Sequence, residues 1–136
     1  MMDDGMRILV VDDNPDDVVV LHIVAEQLQP GIVLDVVETG DEALAHLDRP
    51  GTARAAVVIL DWNLPGVTAR EVIARMRSHH EWDDVPIVVC SGDDDPALAD
   101  RVRALGADRY EVKSAGIDGV ADMLRRALAL TSPEPV

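Results

Sequence analysis

Five short apolar runs, each followed by a segment of helical period, constrain this chain more than any other feature. The runs are Ile8 to Val11, Ile32 to Val37, Ala55 to Leu60, Ile87 to Cys90 and Tyr110 to Val112. A strand with one wet face alternates apolar and polar residues, whereas these runs are nearly continuous, so both faces of their sheet are expected to be covered. The covering segments are legible too. Val120, Met123, Leu124, Ala127 and Leu128 fall at the spacing of one helical stripe, as do Leu98, Val102 and Leu105 before Gly106. Val72, Ile73 and Met76 mark another helix, Thr39 to Leu44 opens a short one, and Asp16 to Leu28 reads as the first, stopped by Pro30-Gly31. Strand and helix alternate five times. With right-handed crossovers this order gives an α/β protein built on a doubly wound parallel sheet of five strands with five helices.

The rest of the composition agrees. At 136 residues the chain is one domain's worth, able to bury a core without staples. Aromatics are limited to Trp62, Trp82 and Tyr110, so Val, Leu, Ile and Ala must fill the interior. Cys90 is alone, which excludes an internal disulfide and points to a reducing compartment. No apolar run approaches the roughly 20 residues that span a bilayer. The start, "MMDDGMR", lacks a secretory pattern, so a cytoplasmic protein with no membrane partner is expected. The net charge of -14 argues against nucleic acid, which needs clustered Lys and Arg. No internal linker or second domain is evident. The domain is expected over residues 6–130, with 131–136 a disordered tail.

In such sheets the chemistry gathers in the crevice beyond the carboxyl ends of the strands. Asp12 and Asp13 follow the first run, Asp61 the third, Ser91 the fourth and Lys113 the fifth. All five therefore belong to one rim. Converging carboxylates repel one another unless a cation joins them, and oxygen ligands that leave room for water favour Mg²⁺. A metal, the Lys113 ammonium and the Ser91 hydroxyl would together cradle the oxygens of a phosphoryl group, with Asp61, central by chain order, as the attacking carboxylate. Plainer roles exist for several of these residues. Asp12 and Asp13 could cap the first helix, although Asn14 before Pro15 fits that better. Ser91 could be a turn cap, Lys113 a solvated loop lysine, and Tyr110 ordinary strand filling.

The motifs Asp12-Asp13, "DWNLP" around Asp61, Ser91-Gly92 and "YEVK" ending in Lys113 resemble the receiver domain of two-component response regulators. The likeness is to CheY-like, stand-alone receivers over about Met6 to Leu130, and "DDNPDD" is similar to the regulators that accompany bacterial phytochrome kinases. The resemblance implies a flavodoxin-like strand order 2-1-3-4-5. It implies that Asp61 accepts the phosphoryl group and that Asp13 and Asp61 ligate Mg²⁺, with Asp12 assisting and Asn63 offering its backbone carbonyl. It makes Ser91 and Lys113 contacts of the phosphoryl oxygens, Ser91 and Tyr110 a switch pair, and Asn63 and Asp93 positions that tune dephosphorylation. Two places depart from the pattern. Ser114 follows Lys113 where the family has proline, and Ala69 stands where a glycine is usual.

What the resemblance implies is a signalling protein rather than a turnover enzyme. A histidine kinase or phosphotransfer protein would supply the phosphoryl group, and an output protein would read it through the fourth helix, fifth strand and fifth helix. A phosphorelay, a phosphate sink and a homodimer formed on the output face are further options. An aspartate-nucleophile phosphatase is the enzymatic alternative, but it would want a second aspartate at position 63, which is Asn. A receiver-like binding module without phosphorylation is the other. The run Asp16 to Val24 holds more apolar residues than one buried stripe needs, which reads either as kinase docking on this helix or as a broad core-facing stripe with some exposed valines.

Overall fold

The computed structural model describes residues 6–49, 54–114 and 116–131. Its elements run β1 (Arg7–Val11), α1 (Pro15–Leu28), β2 (Val33–Val37), α2 (Gly40–Asp48), β3 (Val57–Asp61), α3 (Ala69–Ser78), β4 (Ile87–Ser91), α4 (Pro96–Leu105), β5 (Arg109–Val112) and α5 (Ile117–Ala129). All strand pairs are parallel, and the sheet has the order β2-β1-β3-β4-β5. The expected α/β architecture and strand order are therefore observed. Strand ends differ by a residue or two. β3 begins at Val57 rather than Ala55 and takes in Asp61 as its last residue; β4 likewise takes in Ser91. Residues 132–136 of the expected tail lie outside the described residues, while Thr131 hydrogen-bonds back to Leu128.

Alternation along each strand divides the core in two. Leu9, Val11, Val58, Leu60, Ile87 and Val89 face α2, α3 and α4. Ile8, Val10, Val57, Ile59, Val88 and Cys90 face α1 and α5. Each such aliphatic side chain contributes about 1.5–3 kcal/mol when removed from water, and β1, β3 and β4 are buried on both faces. This is why their sequences read as continuous apolar runs.

Four of the five helices start where a side chain takes up a free N–H group of the first turn, and α5 starts at Gly116 without one. The Asn14 side chain accepts from Asp16 N, Thr39 from Glu42 N, and Asp95 from Ala97 N. Thr68 and Glu71 form a reciprocal capping box at α3, which fixes that helix start at Ala69. Gly106 closes α4 with a φ of 123°, a conformation that favours glycine. Among the described helices none is long and apolar enough to cross a membrane.

Candidate functional site

Sheet register assembles the site before any side chain is considered. Val11 is level with Leu60, so Asp12 and Asp61, the next residues on each strand, leave the sheet side by side. Asp61 is level with Cys90, and Ser91 with Val112, which steps the edge up by one residue per strand toward Lys113. The backbone N–H of Lys113 donates to Ser91 O at 2.7 Å, tying the start of the last loop to the fourth strand.

The side chains meet as this register requires. One carboxylate oxygen each from Asp12, Asp13 and Asp61 lies within 4.8 Å of the others, a spacing that a single metal ion can bridge. Asp61 is buried, Asp12 half-buried and Asp13 exposed, so the cluster opens to solvent on one side. Oxygen-only ligands and a wet side fit a hard divalent cation that keeps several waters. Beside the cluster, a cavity of about 60 Å³ runs between α1 and α5, lined by Asp12, Asp17, Asp61 and Lys113 at its polar end. That is room for a few waters.

Lys113 supplies the positive charge. Its Nζ lies 2.8 Å from Asp17 Oδ2, 3.3 Å from Asp61 Oδ2 and 3.4 Å from Asp12 Oδ2. Burial pulls the ammonium's pKa down, but the hydrogen bond it donates to Asp17 and the charges of Asp12 and Asp61 outweigh that and leave it raised. Burial also raises the Asp12 carboxyl, against the lowering effect of the Asn14 N–H and of Lys113. A solvated loop lysine does not describe this residue.

Asn63 N donates to Asp61 Oδ1 at 3.1 Å, so one acceptor oxygen is held by its own turn and the other faces Lys113. Ser91 is fully buried and its Oγ accepts from Asp93 N at 3.1 Å. The Tyr110 hydroxyl donates to the backbone carbonyl of the same Asp93. The described hydrogen bonds thus join Ser91 to Tyr110 through one residue and tie neither of them to Asp61. The Asp93 and Asn63 side chains are exposed beside the rim. No cis peptide bond occurs among the described residues, so Lys113-Ser114 is trans; Ser114 packs where a Cβ on Gly119 of α5 would stand.

Three features are missing from the sequence reading. Asp17 sits in the quoted "DDNPDD" run, but only the first turn of α1 shows that it reaches Lys113. Glu111 is buried in β5 and held by Arg126 of α5 and by Arg109. Burial raises its carboxyl, yet these two guanidinium groups more than reverse that, and its pKa is lowered. His46 is buried against the edge of Trp82, and its Nε2 has no hydrogen-bond partner among the described residues. By contrast Cys90 is the inert packing residue its apolar run suggests. Burial first, then the Glu111 charge, pushes its thiol up to about 12.

Known proteins resemble this chain in sequence and fold. The family model described as the response regulator receiver domain matches residues 8–125. The transcriptional regulatory protein TcrA of Mycobacterium tuberculosis is 37% identical over 134 residues, covering 96% of this chain and 49% of that protein. The phosphate regulon transcriptional regulatory protein PhoB of Rhizobium meliloti is 30% identical over 128 residues, covering 94% and 54%. This chain therefore spans about half the length of these relatives. The chemotaxis protein CheY1 of Helicobacter pylori is 29% identical over 108 residues, covering 79% of this chain and 85% of that one. Among solved structures, the phosphorylated cyanobacterial phytochrome response regulator RcpA superposes with a TM-score of 0.83 at 24% identity, covering 94% and 97%, which shows the shared fold. Register, carboxylates and family match agree over nearly the whole described chain, and on that ground it belongs to the receiver domains of two-component response regulators.

Proposed function

We propose that Asp61 accepts a phosphoryl group from a histidine kinase or phosphotransfer protein in a Mg²⁺-dependent reaction, and that the chain signals through the modified form. The observation that carries this reading is the meeting of Asp12, Asp13 and Asp61 oxygens within 4.8 Å, with Lys113 Nζ 3.3 Å from Asp61. Asp12, Asp13, Asp61 and the Asn63 carbonyl are the residues that would hold Mg²⁺, which supplies charge neutralisation at the transferring group. A carboxylate oxygen of Asp61 forms a bond to phosphorus as the P–N bond of the donor phosphohistidine breaks, and the released imidazole takes a proton from water. Lys113 and Ser91 take the equatorial oxygens, where charge must be offset in the transition state. Hydrolysis by water later returns the carboxylate and inorganic phosphate, with Asn63 and Asp93 flanking the path of that water.

Output follows from the same contacts. Movement of the Ser91 Oγ toward the phosphoryl group would stretch the bond it accepts from the Asp93 N–H, and the Asp93 carbonyl is what holds the Tyr110 hydroxyl. Loosening Asp93 therefore frees Tyr110 and changes the surface made by α4, β5 and α5, favouring the partner that prefers the new form. On α1, Val19 and Ile23 are 56% and 43% exposed one turn apart, a surface suited to kinase docking.

The test uses the two tryptophans. Trp62 adjoins Asp61 and is partly buried, whereas Trp82 is 2% exposed and hydrogen-bonded to Leu47 O. Acetyl phosphate with Mg²⁺ is expected to quench the Trp62 emission and add one phosphoryl group to the intact mass, in wild type and not in Asp61→Asn. Unchanged emission and mass in wild type would refute the reading. Steady release of phosphate from a simple phosphoester would favour the phosphatase alternative instead.

A further inference from the structure

The strongest contact Lys113 makes is outside the set that handles phosphorus. Its Nζ is 2.8 Å from Asp17 Oδ2, closer than to Asp61 or Asp12. Asp17 belongs to the first turn of α1, opens onto the same cavity, and is not among the three carboxylates close enough to share an ion. It is thus a fourth negative group whose described partner is the ammonium itself.

We infer that Asp17 is a positioning residue that holds Lys113 at rest and thereby sets the rate of phosphoryl capture. The inference rests on the phosphorylation reading above. One ammonium cannot satisfy Asp17 and also give its full charge to incoming phosphoryl oxygens. The Asp17 contact therefore stabilises the unmodified protein but not the transition state, and such an interaction slows the chemical step. Once the group is bound to Asp61, Lys113 has already left Asp17, so decay of the acyl phosphate does not depend on it. The geometry predicts an asymmetric effect: capture altered, hydrolysis untouched. A merely structural role for Asp17 would not separate the two rates.

Asp17 is 40% exposed at its side chain, so a neutral replacement leaves no buried charge stranded. The experiment measures phosphorylation of Asp61 by acetyl phosphate with Mg²⁺, and decay after donor removal, in wild type, Asp17→Asn and Asp17→Glu. The same Asp17→Asn change is then made in a Lys113→Gln background and followed over longer incubation. For a partly exposed ion pair the expected gain in capture rate for Asp17→Asn is roughly two- to fivefold. Hydrolysis should stay at the wild-type rate, Asp17→Glu should restore slow capture, and the gain should vanish without Lys113, because paired residues are not additive. Capture that is unchanged or slower in Asp17→Asn overturns the inference. So does an equal gain in both backgrounds, which would mean that Asp17 acts by bulk charge on the anionic donor. If wild type itself takes no phosphoryl group on Asp61, it is the proposed function that has failed.

Discussion

His46 shows what a single residue can hide from sequence. Its imidazole is buried on α2 with Nε2 unpaired among the described residues, and burial lowers its pKa from the ordinary 6.5. Asp35 works against that shift, while Arg49 and Arg7 add to it. Above pH 6.5 neither the folded nor the unfolded chain carries the proton. As pH falls below 6.5 the unfolded chain takes it up first, so stability declines with acid until the folded imidazole is protonated as well. The urea midpoint is expected to fall between about pH 7 and pH 5.5, and His46→Leu should flatten that fall; an identical slope in both proteins would contradict the assignment. Nothing in "EALAHLD" marks this histidine as buried, because the apolar neighbours that cover it, Trp82 among them, come from distant parts of the chain. Glu111 and Asp17 were invisible for the same reason. Each is defined by a cation on another element, Arg126 and Lys113. Asp12, Asp13, Asp61, Ser91 and Lys113 were legible because a charged or hydroxyl residue directly after a buried strand needs a functional reason, and the strand marks its position.

Elements were more readable than their ends. Unbroken apolar runs and helical stripes placed all ten in order, since burial on two sheet faces leaves an unmistakable pattern. Strand ends moved because apolar character does not say where pairing starts. Ala55 is buried, yet β3 begins at Val57. The α3 start depends on Thr68 and Glu71, a threonine-x-x-glutamate signal that the sequence alone carries. A closer approach decides α2. A Cβ on buried Gly40 would run into the backbone carbonyl of Val67 in the turn before α3. Backbone cannot yield as a side chain can, so Gly40→Ala is expected to cost about 1–3 kcal/mol. Chemical denaturation measures it, and a midpoint equal to wild type would show that the turn moves aside freely.

At the scale of the molecule, one sheet does two tasks. Its interior holds the fold through the two aliphatic clusters, and its carboxyl edge holds acidic groups close together against their mutual repulsion. Lys113 is the only cation among the described ion pairs that touches this cluster, reaching Asp12, Asp17 and Asp61. Ser91, Asp93 and Tyr110 run from that edge toward α4 and β5 through two hydrogen bonds, the route on which the proposed output depends. Borohydride reduction after treatment with acetyl phosphate, followed by peptide mass mapping, tests the centre of this account most directly, because it marks the residue that carried the acyl phosphate. Conversion at Asp61 alone, with Mg²⁺ and not with a chelator, is the predicted result. Conversion at Asp12 or Asp13, or at Asp61 without any metal, would contradict it.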